Sequence, residues 1–150
     1  MTPAGYQHGK VAGNLLVLVG SFVRSNALGS VHAAETGFRI GNDPDTVRAP
    51  DFAFVSAERE NEVGTPRGFG RGAPDLVAEV ISPDDSYAEV DLKVEQWLRA
   101  GTRLVWVVNP RTRKVAVHTP GAIANRAGSD VLDGGAVLPG FSCRVEELFS

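Results

Sequence analysis

The stretch PDLVAEVIS, residues 74–82, constrains the fold more tightly than any other part of the sequence. Leu76, Val77, Ala78, Val80 and Ile81 form a near-continuous apolar run, the pattern of a strand buried on both faces. Two acids interrupt it. Strand side chains alternate, so Asp75, Val77, Glu79 and Ile81 project from one face. Taking an ionised carboxylate out of water without a partner costs several kcal/mol or more. A core strand that aims two acids the same way therefore needs a cation, a proton or hydrogen-bond donors beside it.

A further acid interrupts APDFAFV, where alternation puts Asp51, Ala53 and Val55 on one face and Phe52 and Phe54 on the other. If the two strands are neighbours, Asp51 and Glu79 can converge. Converging carboxylates repel unless a proton or a cation lies between them. A hard divalent ion such as magnesium is held by one or two carboxylates, with waters and substrate phosphates completing its shell. Lys93 adds a positive charge from the helix that follows, about 40° beyond Trp97 at roughly 100° per residue. It either snorkels to water along apolar surface or points over the strand end that bears Glu79. In the second case its charge orients a water and offsets the charge that develops in phosphoryl transfer.

The rest of the chain orders itself around these segments. Val11, Leu15, Leu18 and Phe22 form a helical stripe, predicting a helix from Val11 to about Asn26. SVHAAE and GFRIG read as short strands, and a polar NDPDT turn leads into VRAPDFAFV as one further strand. Residues 58–73 are rich in glycine and charge and read as a mobile loop carrying Arg67 and Arg71. Its GFGRG is no dinucleotide fingerprint, because a strand follows where a helix is needed. After the acid-bearing strand, Pro83 and Asp84 mark a helix start and Gly101 a stop, with Tyr87, Val90, Val94, Trp97 and Leu98 as the buried stripe. RLVWVV and KVAVHT are strands joined by NPRTR; a glycine-rich passage and a final helical turn in CRVEELF close the chain. No linker or repeat divides the 150 residues, so a single domain over 1–150 is expected: a mixed sheet flanked by helices.

Composition limits function. At 43% hydrophobic, 22% charged and a net charge of −3, the chain has no overall basic field, which leaves any nucleic-acid contact to a local patch. Scattered arginines such as Arg67 and Arg71 read on their own as solvated surface. One cysteine, Cys143, excludes an internal disulfide and a thiolate metal cage, so a reducing, cytoplasmic setting is expected. The helical stripe and the lack of an A-x-A site argue against a signal peptide, and the run is short for a membrane span.

In chain order, APDFAFV, GAPDLVAEVISP, DLKVEQWLRAG, LVWVVNP and VLPGFS resemble the Uma-type restriction endonuclease family of the PD-(D/E)XK nuclease superfamily. The resemblance covers nearly the whole chain. It implies an α/β (α+β) restriction-endonuclease-like fold, a four- or five-stranded mixed sheet with helices on both sides. It also implies magnesium-dependent hydrolysis of phosphodiester bonds, with manganese as a substitute. By position, Asp51 matches the first metal-binding aspartate and Glu79 the acid of the E-x-K element. Ile81 stands where that element's lysine belongs, and Lys93 matches a lysine displaced onto the next helix. Asp75 falls in the second PD, where it supports the metal or bonds the turn; Ser82 matches at the strand end. His8 matches a recurrent histidine, with a helix-start role as the plain alternative. Family members carry a further N-terminal stretch before the MTPAG region, and without its strand an open sheet edge favours a homodimer.

The resulting expectation is a metal-dependent endonuclease acting on nucleic acid, DNA first. Asp51, Glu79 and the Val80 carbonyl hold the metal, Lys93 positions the attacking water, and Arg67 and Arg71 track the phosphate backbone. Two alternatives stay open: a non-catalytic binding or assembly module on the same fold, and a phosphoesterase for small substrates.

Overall fold

The computed structural model describes residues 3–150; Met1 and Thr2, the start of the MTPAG stretch, lie outside the described residues. The frame is a six-stranded mixed sheet. Its strands, in spatial order, are β1 (Gly29–Ala33), β4 (Phe52–Ser56), β6 (Leu76–Val80), β7 (Leu104–Asn109), β8 (Lys114–Thr119) and β9 (Ala122–Ala127). Within this sheet, among the described residues, only β6 and β7 pair in parallel, and the connection between them is helix α3 (Tyr87–Ala100). Every residue of β6 is buried, which is why its apolar residues run on without alternation.

The two faces of this sheet hold separate cores. Helix α1 (Tyr6–Ser25) covers one, with Val11, Leu15, Val19 and Val23 fully buried against Phe52, Phe54, Leu76 and Trp106. Each such side chain contributes roughly 1.5–3 kcal/mol on burial. Helix α3 covers the other, laying Val94 and Trp97 on Ala53, Val77, Val105 and Val107. The side chain of Ser86 caps α3 by accepting from the Glu89 amide at 3.1 Å. Gly101 ends the helix at φ +113°, a conformation that penalises any other residue.

A three-stranded sheet, in the order β3 (Asp45–Arg48), β2 (Phe38–Asn42), β5 (Gly70–Arg71), lies on the α3 face, where Phe38 and Ile40 join the core. A hairpin of β10 (Val131–Gly134) and β11 (Leu138–Arg144), followed by a 3₁₀ turn over Val145–Phe149, closes the α1 face. Among the described residues, no helix is long and apolar enough to cross a membrane.

The α+β expectation stands, but several details change. The sheet has six strands and two smaller sheets beside it, in place of four or five strands in one. VRAPDFAFV is two strands in different sheets, divided where Pro50 removes a ladder donor. Residues 58–73 are not all loop: α2 (Ala57–Val63) and β5 lie within them, and the Ser56 side chain caps α2 on the Arg59 amide. Helix α1 begins at Tyr6, before its apolar stripe starts, and α3 begins at Tyr87, past the acidic SPDDS turn. Tyr87 is exposed, not part of the buried stripe. The glycine-rich passage near the C-terminus forms three strands, because its glycines mark turns between short alternating segments.

Candidate active site

Strands β4 and β6 run antiparallel with Phe52 opposite Ala78, Ala53 opposite Val77 and Phe54 opposite Leu76. Extending that register by one step sets Asp51 opposite Glu79. Both share the face of Ala53 and Val77, the face that α3 covers. The acids meet at the strand ends, where the ladder stops and side chains take over its hydrogen bonds. Asp51 Oδ2 accepts the Val80 amide N–H at 2.7 Å. Val80 thus enters the site through its N–H, which lies on the same side of the strand as the carbonyl expected from the sequence.

Glu79 is the most buried member, with its side chain 12% exposed. Oε1 accepts the Trp97 indole N–H at 3.3 Å, and Oε2 lies 3.9 Å from Lys93 Nζ. Burial pushes its pKa up to about 7, and the Asp51 charge pushes the same way; Lys93 and the Trp97 bond oppose this without cancelling it. Lys93 reaches the carboxylate from α3 with its side chain 46% exposed, so its charge also faces solvent. His8, one turn into α1, places Nε2 3.2 Å from Asp51 Oδ1. The structure therefore brings Asp51, Glu79, Lys93 and His8 to one place from four elements.

A divalent cation fits this donor set. Two hard carboxylates lie opposed, and burial together with the Asp51 charge raises the proton affinity of Glu79, a condition that a bound cation would relieve. Each carboxylate oxygen has a second lone pair beyond the bonds described. Among the described residues, no group of three or more His, Cys, Asp and Glu side chains is arranged to hold a metal. Asp51 and Glu79 would thus supply two ligands, with water and phosphate oxygens completing the shell as magnesium prefers.

Residues 1–146 match the family Uma2, described as "Putative restriction endonuclease". The chain belongs to the Uma2 family. A solved structure, a "putative nuclease belonging to DUF820" from Anabaena variabilis, superposes with a TM-score of 0.85 at 19% sequence identity. The match covers 99% of this chain and 83% of that one; at this identity it shows the shared fold. No curated protein sequence matches.

In this Uma2 chain Asp75 lies away from the acid pair, whereas Ser82 follows Glu79 at the same strand end. Asp75 sits at the opposite end of the strand, four residues or roughly 13 Å from Glu79. It is buried, accepts the Ser56 amide at 2.7 Å through Oδ2, and has Oδ1 3.2 Å from Arg103 and 3.8 Å from Arg59. That arrangement bonds the turn and leaves the metal-supporting alternative without geometric support. Ser82 begins the turn after β6, donating its amide to Asp85 Oδ2 at 2.9 Å. Arg67 and Arg71 lie on the loop leading into β5 and on β5 itself, lining a groove with Arg39.

Two participants escaped the sequence. Trp97 reads there as core stripe alone, and its indole donor becomes visible only when α3 is laid on β6. Asp85 acts on Glu79 electrostatically; the acidic SPDDS directly after the strand was the available signal.

Proposed function

We propose that this chain is a divalent-metal-dependent nuclease hydrolysing phosphodiester bonds, with DNA as substrate and the Asp51–Glu79 end of β4 and β6 as its active site. The observation that carries the reading is the opposition of two carboxylates across an antiparallel pair, with an ammonium delivered beside them from α3. A bound magnesium or manganese ion would lower the pKa of a coordinated water and withdraw charge from a phosphate oxygen. The protein's own groups do the rest. Asp51 and Glu79 would hold the ion; the Val80 amide and His8 fix the Asp51 carboxylate, and Trp97 fixes that of Glu79. Lys93, free to turn toward solvent, orients water and stabilises the charge accumulating on the phosphate.

The test is cleavage of supercoiled plasmid and of single-stranded DNA with magnesium or manganese, comparing wild type with Glu79→Ala and Lys93→Ala. Each substitution is expected to lower the rate by about 100-fold or more. Cleavage that survives both would refute the assignment.

One observation favours a second reading: each acid already has partners within the protein, as a non-catalytic binding module would require. On that reading the wild type cleaves neither substrate with either metal. A homodimer belongs to the proposal as well. It is supported by the free edge of β9, where Ile123 is exposed, and light scattering of the purified chain tests it.

A further inference from the structure

The sequence RGFGR, residues 67–71, alternates two arginines with an aromatic ring, and the fold turns it outward. Phe69 is 53% exposed, unusual for a phenylalanine with a core available a few residues away. It is held from behind: a Cβ on Gly37 would come within 2.7 Å of the Phe69 ring, so that glycine lets the chain entering β2 pass directly against it. Arg39 on β2 brings a third guanidinium alongside Arg67 and Arg71, and together with Phe69 they line a groove of about 480 Å³. Among the described residues, none of these three arginines has a carboxylate within ion-pair distance, whereas Arg59 and Arg103 nearby are committed to Asp75.

Arg71 and Gly70 also line a second cavity, of about 240 Å³, whose other walls include Phe38, Val55, Val63 and Glu60. It is smaller than the roughly 300–1,000 Å³ clefts that enclose whole small-molecule ligands, and suits one flat ring system. Val55 belongs to the α3-face core, so the cavity opens on the face that carries the acid pair. The distance from Asp75 at this end to Glu79 is roughly 13 Å, about four stacked nucleotides at 3.4 Å each.

We propose that the RGFGR loop with Arg39 is a platform for single-stranded nucleic acid: a base stacks on Phe69, the three guanidinium groups hold the phosphates, and a neighbouring base enters the adjoining cavity. The chemistry is that of single-strand binding surfaces, where a cationic track takes the backbone and aromatic faces take the bases. A duplex keeps its bases stacked inward and offers only phosphates to the same surface. The inference rests on the nuclease reading for the nature of the substrate, and narrows it to DNA with an unpaired segment close to the scissile bond.

The experiment is fluorescence anisotropy in EDTA with three labelled probes: a 12-nucleotide thymidine strand, a 12-unit abasic sugar-phosphate strand and a 12-base-pair duplex. Wild type should bind the thymidine strand at least tenfold tighter than the abasic strand. Phe69→Ala should remove most of that difference, and Val63→Phe, which fills the cavity from α2, should reduce it at least threefold. Arg67→Gln, which alters the groove and not the cavity, should weaken both single strands equally and lower the salt slope by about 0.7. Because Phe69 is half-exposed, its variant is expected to keep the wild-type melting temperature.

The inference is overturned if wild type does not distinguish the abasic strand, if the duplex binds as tightly as the thymidine strand, or if Phe69→Ala and Val63→Phe change nothing. Glu79→Ala separates the two readings. Base-dependent binding without cleavage by wild type would leave the platform standing and remove the nuclease. Cleavage that needs Glu79 but ignores Phe69 would do the reverse.

Discussion

Replacing Glu79 with glutamine should stabilise this protein, and by an amount that depends on pH. A glutamate in the unfolded chain titrates near 4.5, while in the fold burial and the Asp51 charge move Glu79 to about 7. Between those values the folded state holds a proton that the unfolded state has released, so stability falls as pH rises through the window. Below pH 4.5 the penalty is absent; above pH 7 it is complete. At about 1.4 kcal/mol per pH unit the full penalty is about 3 kcal/mol. A glutamine side chain in this place would keep an oxygen that accepts from Trp97 and carry no charge to desolvate. The Glu79→Gln protein should therefore match wild type near pH 4.5 and exceed it by about 3 kcal/mol at pH 8, or about 6–12 °C in Tm. The assay is urea or thermal unfolding of both proteins in EDTA at half-unit pH steps from 4.5 to 8. A stability difference that stays flat across that range would show that Glu79 ionises normally in the fold, and with it the account of a carboxylate desolvated by burial and pressed by Asp51 would fail.

Other outcomes follow from the same contacts. Lys93→Met removes a charge that holds the Glu79 pKa down, so the window in which stability falls should move to higher pH; titration of wild type and variant by the same unfolding series checks the direction. Manganese should raise the melting temperature of wild type at pH 8 by about 5–10 °C at a hundredfold excess over its Kd, and leave Glu79→Ala unmoved. An equal shift in both proteins would place the ion elsewhere. Asp75→Ala leaves the Ser56 amide and two guanidinium groups without their acceptor, so it should cost about 3–5 kcal/mol in urea unfolding while leaving the manganese response of the remaining folded protein intact.

The acid pair was legible in the sequence because strand alternation is a local rule. Once 74–82 is a buried strand, Glu79 must share a face with Val77, and once APDFAFV is a strand, Asp51 must share one with Ala53. The roles of Asp75 and His8 were not legible. Asp75 has the same parity as Glu79 and differs only in which strand end it occupies, and thus in which arginines come within reach. His8 is brought to Asp51 by the docking of α1 on the opposite face of the sheet, a contact spanning 43 residues of sequence. The β5 strand was hidden for a similar reason: two residues, one of them glycine, carry no periodicity, and they become a strand only because β2 offers an edge.

By itself, then, the sequence determined the elements with strong apolar period, the faces on which their side chains fall, and the chemical types available there. It did so because those properties depend on neighbours within a few residues. Only the tertiary structure decided that β4 lies against β6 in the register that opposes Asp51 to Glu79, that Lys93 and Trp97 close over them, and that Phe69 stays outside beside Arg39, Arg67 and Arg71. Pairing register and helix docking are set by packing between segments tens of residues apart, and no local pattern records which partner each segment will find.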